Sequence, residues 1–101
     1  MDIMKKPAVY IMTNKRNGVL YIGVTTSLLE RIYQHKNGTG SKFAWKYSCN
    51  LLVFYCFFDA ITDAISAEKK LKNVSRKKKI ELIENMNLEW RDLSSDLFHQ
   101  M

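Results

Sequence analysis

Tyr10, Tyr21, Arg31, His35 and Glu68 are the five side chains that could serve a reaction. Tyr10 and Tyr21 stand in two apolar runs, Ala8–Met12 and Val19–Val24, on either side of the turn-rich segment Asn14-Lys15-Arg16-Asn17-Gly18. Arg31 and His35 are four residues apart and so neighbours on one face of a helix. Glu68 falls inside an apolar helical stripe, where an uncompensated carboxylate costs several kcal/mol. Lys72, four residues on, could pair with it; a metal ion or an open cleft could also compensate it. Together these groups suit phosphodiester hydrolysis, which needs a base, a cation at the phosphoryl group and a cation at the leaving oxygen. Arginine offers a planar, permanently charged fork to phosphate oxygens. A single glutamate suffices for magnesium, which keeps several waters and takes other ligands from a phosphate. Tyr10, Tyr21 and His35 are the candidates for handling protons. A free phenol, with a pKa near 10, is a weak base at neutral pH unless Arg31, a metal and a basic surround lower it; histidine titrates close to neutrality.

These residues need elements to hold them. The two apolar runs predict a β-hairpin. If Thr13 faces Gly18 across a four-residue loop, Val9 lies opposite Ile22, Ile11 opposite Leu20 and Tyr10 opposite Tyr21. One face is then wholly aliphatic, with Val9, Ile11, Leu20, Ile22 and Val24; the other carries Ala8, Tyr10, Met12, Val19, Tyr21 and Gly23. A capping box, Ser27 with Glu30, predicts a helix that runs to about Lys36 and stops at Asn37-Gly38. Residues Asn37 to Asn50 read as a polar loop in which Lys42 and Lys46 alternate with Phe43, Trp45 and Tyr47. Phe43 and Tyr47 are expected to pack under the sheet, and Lys42 and Lys46 to meet nucleic acid. Leu51 to Phe58 predicts a third strand, central or covered on both sides. Asp59 is expected to cap a helix over about 60–72 with the stripe Ile61, Ala64, Ile65, Leu71. Ser75 is expected to cap another over about 76–85 that buries Ile80, Ile83 and Met86. Trp90 is expected to cap the core, and residues 94–101 read as a tail with at most one helical turn, in which His99 has no evident partner.

The wording of the hairpin adds to this. Ala8-Val9-Tyr10 followed by Tyr21-Ile22-Gly23 resembles the paired signature of the GIY-YIG nuclease family; the first triplet keeps only the tyrosine of Gly-Ile-Tyr, and the second matches throughout. Arg31, ten residues past Tyr21, stands where the family places an essential arginine, and His35 where it commonly shows a tyrosine or histidine. Several branches carry a lysine directly after the second triplet, and here that residue is Val24. Val24-Thr25-Thr26, Gln34-His35-Lys36, Glu68-Lys69-Lys70-Leu71-Lys72 and Asn87-Leu88-Glu89-Trp90-Arg91-Asp92-Leu93 are similar to the small single-domain bacterial branch (UPF0213/URI-like), with Leu88 in place of its proline. The likeness covers about residues 7–93 of 101. It implies an α+β fold with a small three-stranded antiparallel sheet flanked by helices. It implies a catalytic site of Tyr10, Tyr21, Arg31 and His35, with Tyr10 as base or relay and Tyr21 orienting water or phosphate. It implies Glu68 as the sole metal-binding carboxylate for Mg2+ or Mn2+, an active-site amide at Asn87 or Asn73, and 5′-phosphate and 3′-hydroxyl products.

Bulk properties agree with such a role. The length of 101 residues suits one domain, and 47% hydrophobic residues suffice for a core. The net charge of +6 predisposes the chain to polyanions. Seven cations (Lys69, Lys70, Lys72, Arg76, Lys77, Lys78 and Lys79) fall within eleven residues free of acids, which suits phosphate contact without sequence reading. Lys42, Lys46, Lys69, Lys72, Arg76 and Lys79 are the candidate nucleic-acid contacts. Cys49 and Cys56 read as free thiols of a reducing compartment, the first seven residues are too short and polar for a signal peptide, and no apolar run suits a membrane span; a cytoplasmic protein is the expectation. The expected activity is a metal-dependent endonuclease on DNA, structure-directed or weakly sequence-specific, aimed by a targeting partner or a homodimer. The alternatives are a nucleic-acid-binding module without turnover and, last, an interaction protein whose charge is incidental.

Overall fold

Two strands drawn from the predicted hairpin organise the chain. In the computed structural model, which describes residues 5–98, β1 (Ala8–Thr13) pairs antiparallel with β2 (Leu20–Thr25) on one side and β3 (Leu51–Phe57) on the other. The helices are α1 (Leu28–Lys36), α2 (Lys42–Lys46), α3 (Ile61–Asn73), α4 (Arg76–Met86) and α5 (Ser94–Phe98). This is the expected α+β fold. His99, which has no evident partner in the sequence, lies outside the described residues.

The register of the hairpin differs from the expected one by two residues. Thr13 pairs with Leu20, Met12 with Tyr21, Ile11 with Ile22 and Tyr10 with Gly23. The loop absorbs the difference. Its turn closes with Gly18 N–H donating to the Lys15 carbonyl and Asn17 at φ 58°, and the Asn14 side chain accepts from Val19 N–H. The turn therefore takes up Val19, which the periodicity placed in the strand. Because side chains alternate with a period of two, a two-residue shift leaves both faces intact. Val9 and Ile11 pack with Leu20, Ile22 and Val24 on one face; Ala8, Tyr10 and Met12 pack with Val19 and Tyr21 on the other.

Both faces are covered. α1, Ala44 of α2 and Leu97 of α5 close the tyrosine side, and α3, Ile83 of α4 and Trp90 close the aliphatic side. β1 pairs on both edges and is the central strand, every residue of it buried; β3 is an edge strand, and its apolar run reflects the other expected alternative, cover on both faces. Its apolarity serves both cores locally, with Leu52 facing one and Val53 the other across a bulge.

Four local expectations are corrected. Ser27 occupies the cap position of α1, but its side chain makes no cap bond; Thr25 Oγ1 accepts from Ser27 N–H and donates to its carbonyl. Asp59 does not cap α3 and instead pairs with Lys6 at 3.3 Å. Ile61, Ile65 and Met86 stay exposed, because α3 and α4 rest on the sheet through Ala64, Leu71 and Ile83. The 37–50 loop contains α2, whose cap Ser41 accepts from Ala44 N–H. Ser75 caps α4 as expected.

Candidate active site

The central strand carries Tyr10 into the tyrosine-side core, where it is 1% exposed. Opposite it stands Gly23. A Cβ there would run into the Tyr10 phenol oxygen and ring, so glycine is what lets the ring lie flat across β2. Tyr21, two residues earlier on β2, becomes the diagonal neighbour of Tyr10, with ring centroids 6.2 Å apart. His35 closes the triangle from α1. Its Nε2 is 3.0 Å from the Tyr10 hydroxyl, and its ring lies 5.0 Å from that of Tyr21. His35 is buried, held on its other side by Gly40, where a Cβ would stand 3.1 Å from Nδ1.

Of the two charged candidates, Arg31 stands on the tyrosine side on α1, whereas Glu68 stands on α3, the helix that covers the aliphatic side. Arg31, one turn before His35 on α1, reaches toward the Gly40 carbonyl at 3.5 Å and lines a polar cleft of about 140 Å³ with Thr25, Thr26, Ser27, Glu30 and Gln34. Glu68 is mostly covered on α3, with its side chain 15% exposed and Lys72 Nζ at 3.4 Å. Both charges bear on Tyr10. Burial and the Tyr21 phenol push the Tyr10 phenol far above its usual range; the Arg31 guanidinium opposes them and the Glu68 carboxylate adds to them. Arg31 alone therefore does not lower the phenol pKa as expected, because loss of hydration outweighs it. Burial first, and Arg31 second, push the His35 imidazole below its usual value. Tyr10 and His35 therefore form a neutral, hydrogen-bonded pair at neutral pH.

That pair has a consequence for stability. A histidine whose folded pKa is depressed must take up a proton less readily folded than unfolded, so stability is full above pH 6.5 and is lost as pH falls toward the folded value. Urea midpoints of the wild type are expected to drop between pH 7.5 and 5.5, and His35→Gln is expected to flatten that dependence. Asp92 does not titrate there; burial works against its charge, but Lys36 and the Ser94 donors hold its carboxyl below the usual range.

The remaining candidates divide sharply. Asn87 is buried, and its amide is occupied by the Val53 and Arg91 carbonyls and Arg91 N–H, so it holds the 87–91 turn and has no donor left for a substrate. Asn73 lies exposed at the end of α3 and donates to the Lys69 carbonyl. Arg76 clamps the hairpin turn through the Asn17 and Gly18 carbonyls at 2.8 and 2.6 Å. Lys79 donates to the Lys72 carbonyl. Lys42 and Lys46 stand exposed on α2, and Lys69 on α3. Phe43 and Tyr47, expected under the sheet, are instead 47% and 41% exposed and extend the cluster outward, Phe43 lying 6.2 Å from Tyr21 and 4.8 Å from Tyr47. Sequence reasoning missed Gly23 and Phe43 as walls of the site. A glycine inside a strand pattern was the available signal for the first; the second depends on α2, which periodicity does not reveal in five residues.

Comparison with known proteins bears on the same residues. The model of the GIY-YIG catalytic domain matches residues 6–81, a span that contains Tyr10, Tyr21, Arg31, His35 and Glu68. The UPF0213 protein of Staphylococcus saprophyticus is 36% identical over 80 residues, covering 79% of this chain and 96% of that one. That of Staphylococcus haemolyticus is 36% identical over 81 residues (80% and 98%), and that of Clostridium perfringens 32% over 89 residues (88% and 95%). No solved structure matches. No helix among the described residues is long and apolar enough to cross a membrane. With the two tyrosines, the histidine and the arginine placed on the hairpin and the helix after it, and with these matches, the chain belongs to the GIY-YIG family, in its small UPF0213 branch.

Proposed function

We propose that this protein is a divalent-metal-dependent endonuclease that hydrolyses phosphodiester bonds in DNA, directed by structure or by weak sequence preference. The observation that carries it is the buried Tyr10–His35 hydrogen bond of 3.0 Å beside Tyr21 and within reach of the Arg31 charge. A neutral phenol cannot itself hold a proton taken from water. It can pass its own to His35 Nε2 while accepting one from the attacking water, which leaves an imidazolium and a neutral phenol. That relay needs the histidine proton on Nδ1, a buried atom without a partner among the described residues. Tyr21, half-exposed at the rim, orients the water, and Arg31 meets the phosphoryl oxygens as charge grows on them.

Glu68 fits a hard divalent cation. Its carboxylate is singly paired, to a half-exposed lysine that can turn to solvent, and among the described residues no three acids, histidines or cysteines gather into a closed cage. That donor set suits magnesium or manganese, whose other ligands are water and substrate phosphate. When bound, such an ion supplies positive charge to the phosphoryl group and the leaving oxygen.

The test is direct. Pure protein is incubated with branched, single-stranded and duplex DNA, with magnesium or manganese and then with excess chelator. Cleavage lost with chelator is expected. Arg31→Lys, which keeps charge but not the planar fork, is expected to slow it by about 10²-fold. Salt-sensitive binding with no cleavage of any substrate would instead mark a binding module without turnover.

A further inference from the structure

A second concavity lies beside the tyrosine cluster and plays no part in the proton relay. It measures about 510 Å³ and opens between the 38–41 loop and α2, lined by Gly38, Thr39, Gly40, Lys42, Trp45 and Lys46. Trp45 is 67% exposed, whereas Trp90, the other tryptophan, is 3% exposed and serves the core. One edge of the exposed indole packs on the backbone. Gly38, at φ 76°, lies so close to it that a Cβ would meet its Cδ1 and Nε1. Leaving such a side chain in water contributes nothing to the core, and it keeps a π-face open to a ligand.

The cations fall on the same side. Lys42 and Lys46 are spaced i, i+4 on α2 and flank Trp45 at the cavity wall. Phe43 and Tyr47 share the other side of α2, with rings 4.8 Å apart, and Phe43 adjoins Tyr21 at 6.2 Å. Lys46 Nζ stands 5.5 Å above the Tyr47 ring, at the boundary between the two sides. Exposed aromatic faces thus stand on both sides of α2, Phe43 and Tyr47 next to the tyrosine–histidine cluster and Trp45 at the cavity, with Lys42 and Lys46 between them. Aromatic platforms interleaved with cations are the composition that grips unpaired nucleotides, because a base inside a duplex is already stacked and has no free face to offer.

We propose that the α2 surface binds unpaired nucleotides next to the phosphate to be cut, with a base stacked on Trp45 and the adjoining phosphates held by Lys42 and Lys46. The substrate class is therefore single-stranded nucleic acid, or the unpaired strand at a branch. This rests on the nuclease proposal only for where the scissile phosphate sits.

Binding is measured in chelator, so turnover plays no part. The probes are a twelve-residue thymidine oligonucleotide, an abasic oligomer with the same number of phosphates, and a blunt duplex of the same length. The thymidine oligomer is expected to bind at least about tenfold more tightly than the abasic one and to quench the exposed tryptophan emission. Trp45→Ala is expected to lose about tenfold or more on the thymidine oligomer and nothing on the abasic one. Trp45→Phe is expected to keep part of the affinity and to abolish the quenching, since Trp90 is buried. An unchanged affinity in Trp45→Ala with a native circular dichroism spectrum overturns the proposal. So does an abasic oligomer bound as tightly as thymidine, or a duplex bound more tightly than either. Magnesium added afterwards separates the two proposals. Trp45-dependent binding without cleavage leaves this one standing and ends the nuclease proposal; duplex cleavage at the wild-type rate in Trp45→Ala, without Trp45-dependent binding, does the reverse.

Discussion

Glu68→Gln is expected to reduce DNA cleavage by at least about 10²–10³-fold, the scale of removing one preorganised electrostatic group from a reaction centre. The amide keeps the size of the side chain and removes only its charge. Among the described residues no cluster of acids, histidines or cysteines stands ready to hold the cation in its place. The fold should survive. Glu68 has Lys72 as its ion-pair partner, and that lysine is half-exposed, so loss of the pair costs about 1 kcal/mol or less. DNA affinity in chelator should hold or rise, since one negative charge leaves a chain of net charge +6. Urea denaturation, binding in chelator and cleavage in magnesium are the three measurements. Cleavage near the wild-type rate would show that Glu68 holds no catalytic ion, and the proposed mechanism would fail with it. A collapse of stability in the same variant would show that the carboxylate is structural.

Gly23→Ala is expected to damage both fold and site through one methyl group. The new Cβ would overlap the Tyr10 phenol, and Tyr10 is 1% exposed with nowhere to swing. Either β2 lifts from β1 or the ring is forced from its place. Overpacking of this kind costs about 1–3 kcal/mol. In a domain of this size that lowers the melting temperature by roughly 4–8 °C for each kcal/mol. The Tyr10–His35 bond would be lost or lengthened, so cleavage should fall by about 10²-fold or more even where the protein remains folded. Tyr10→Phe separates the two effects. It keeps the ring on Gly23 and removes the hydroxyl, so activity should fall with little change in packing. Wild-type stability and activity in Gly23→Ala would mean that Tyr10 is not pinned against β2.

Much of this architecture was legible from residue order. The alternation in Ala8–Met12 and Val19–Val24 assigned every hairpin residue to its correct face, because parity survives any even shift of register. Arg31 and His35 were placed together on α1 by their spacing of four. Ser75 and Gly38 marked a helix start and a helix end by their own backbone chemistry. The register itself was not legible. It turned on how Asn14 and Asn17 close the loop, and a hydrogen bond from Val19 to a side chain leaves no periodic trace. The long apolar run of β3 left two readings open, central or covered on both sides; the second holds, because burial on two faces and pairing on two edges are separate properties and only β1 has both.

Residue type and periodicity are local, so residue order alone supplied the candidate groups and the two-faced hairpin that carries the first of them. Packing between distant segments set their state and their company. Burial made Tyr10 and His35 a neutral pair, although the nearby cations suggested a lowered phenol pKa, because dehydration inside the core outweighs a single arginine. Packing also spent Asn87 on a turn and Arg76 on the hairpin, and it set Phe43 and Trp45 in the open, because which partner a polar or aromatic group finds depends on segments distant along the chain.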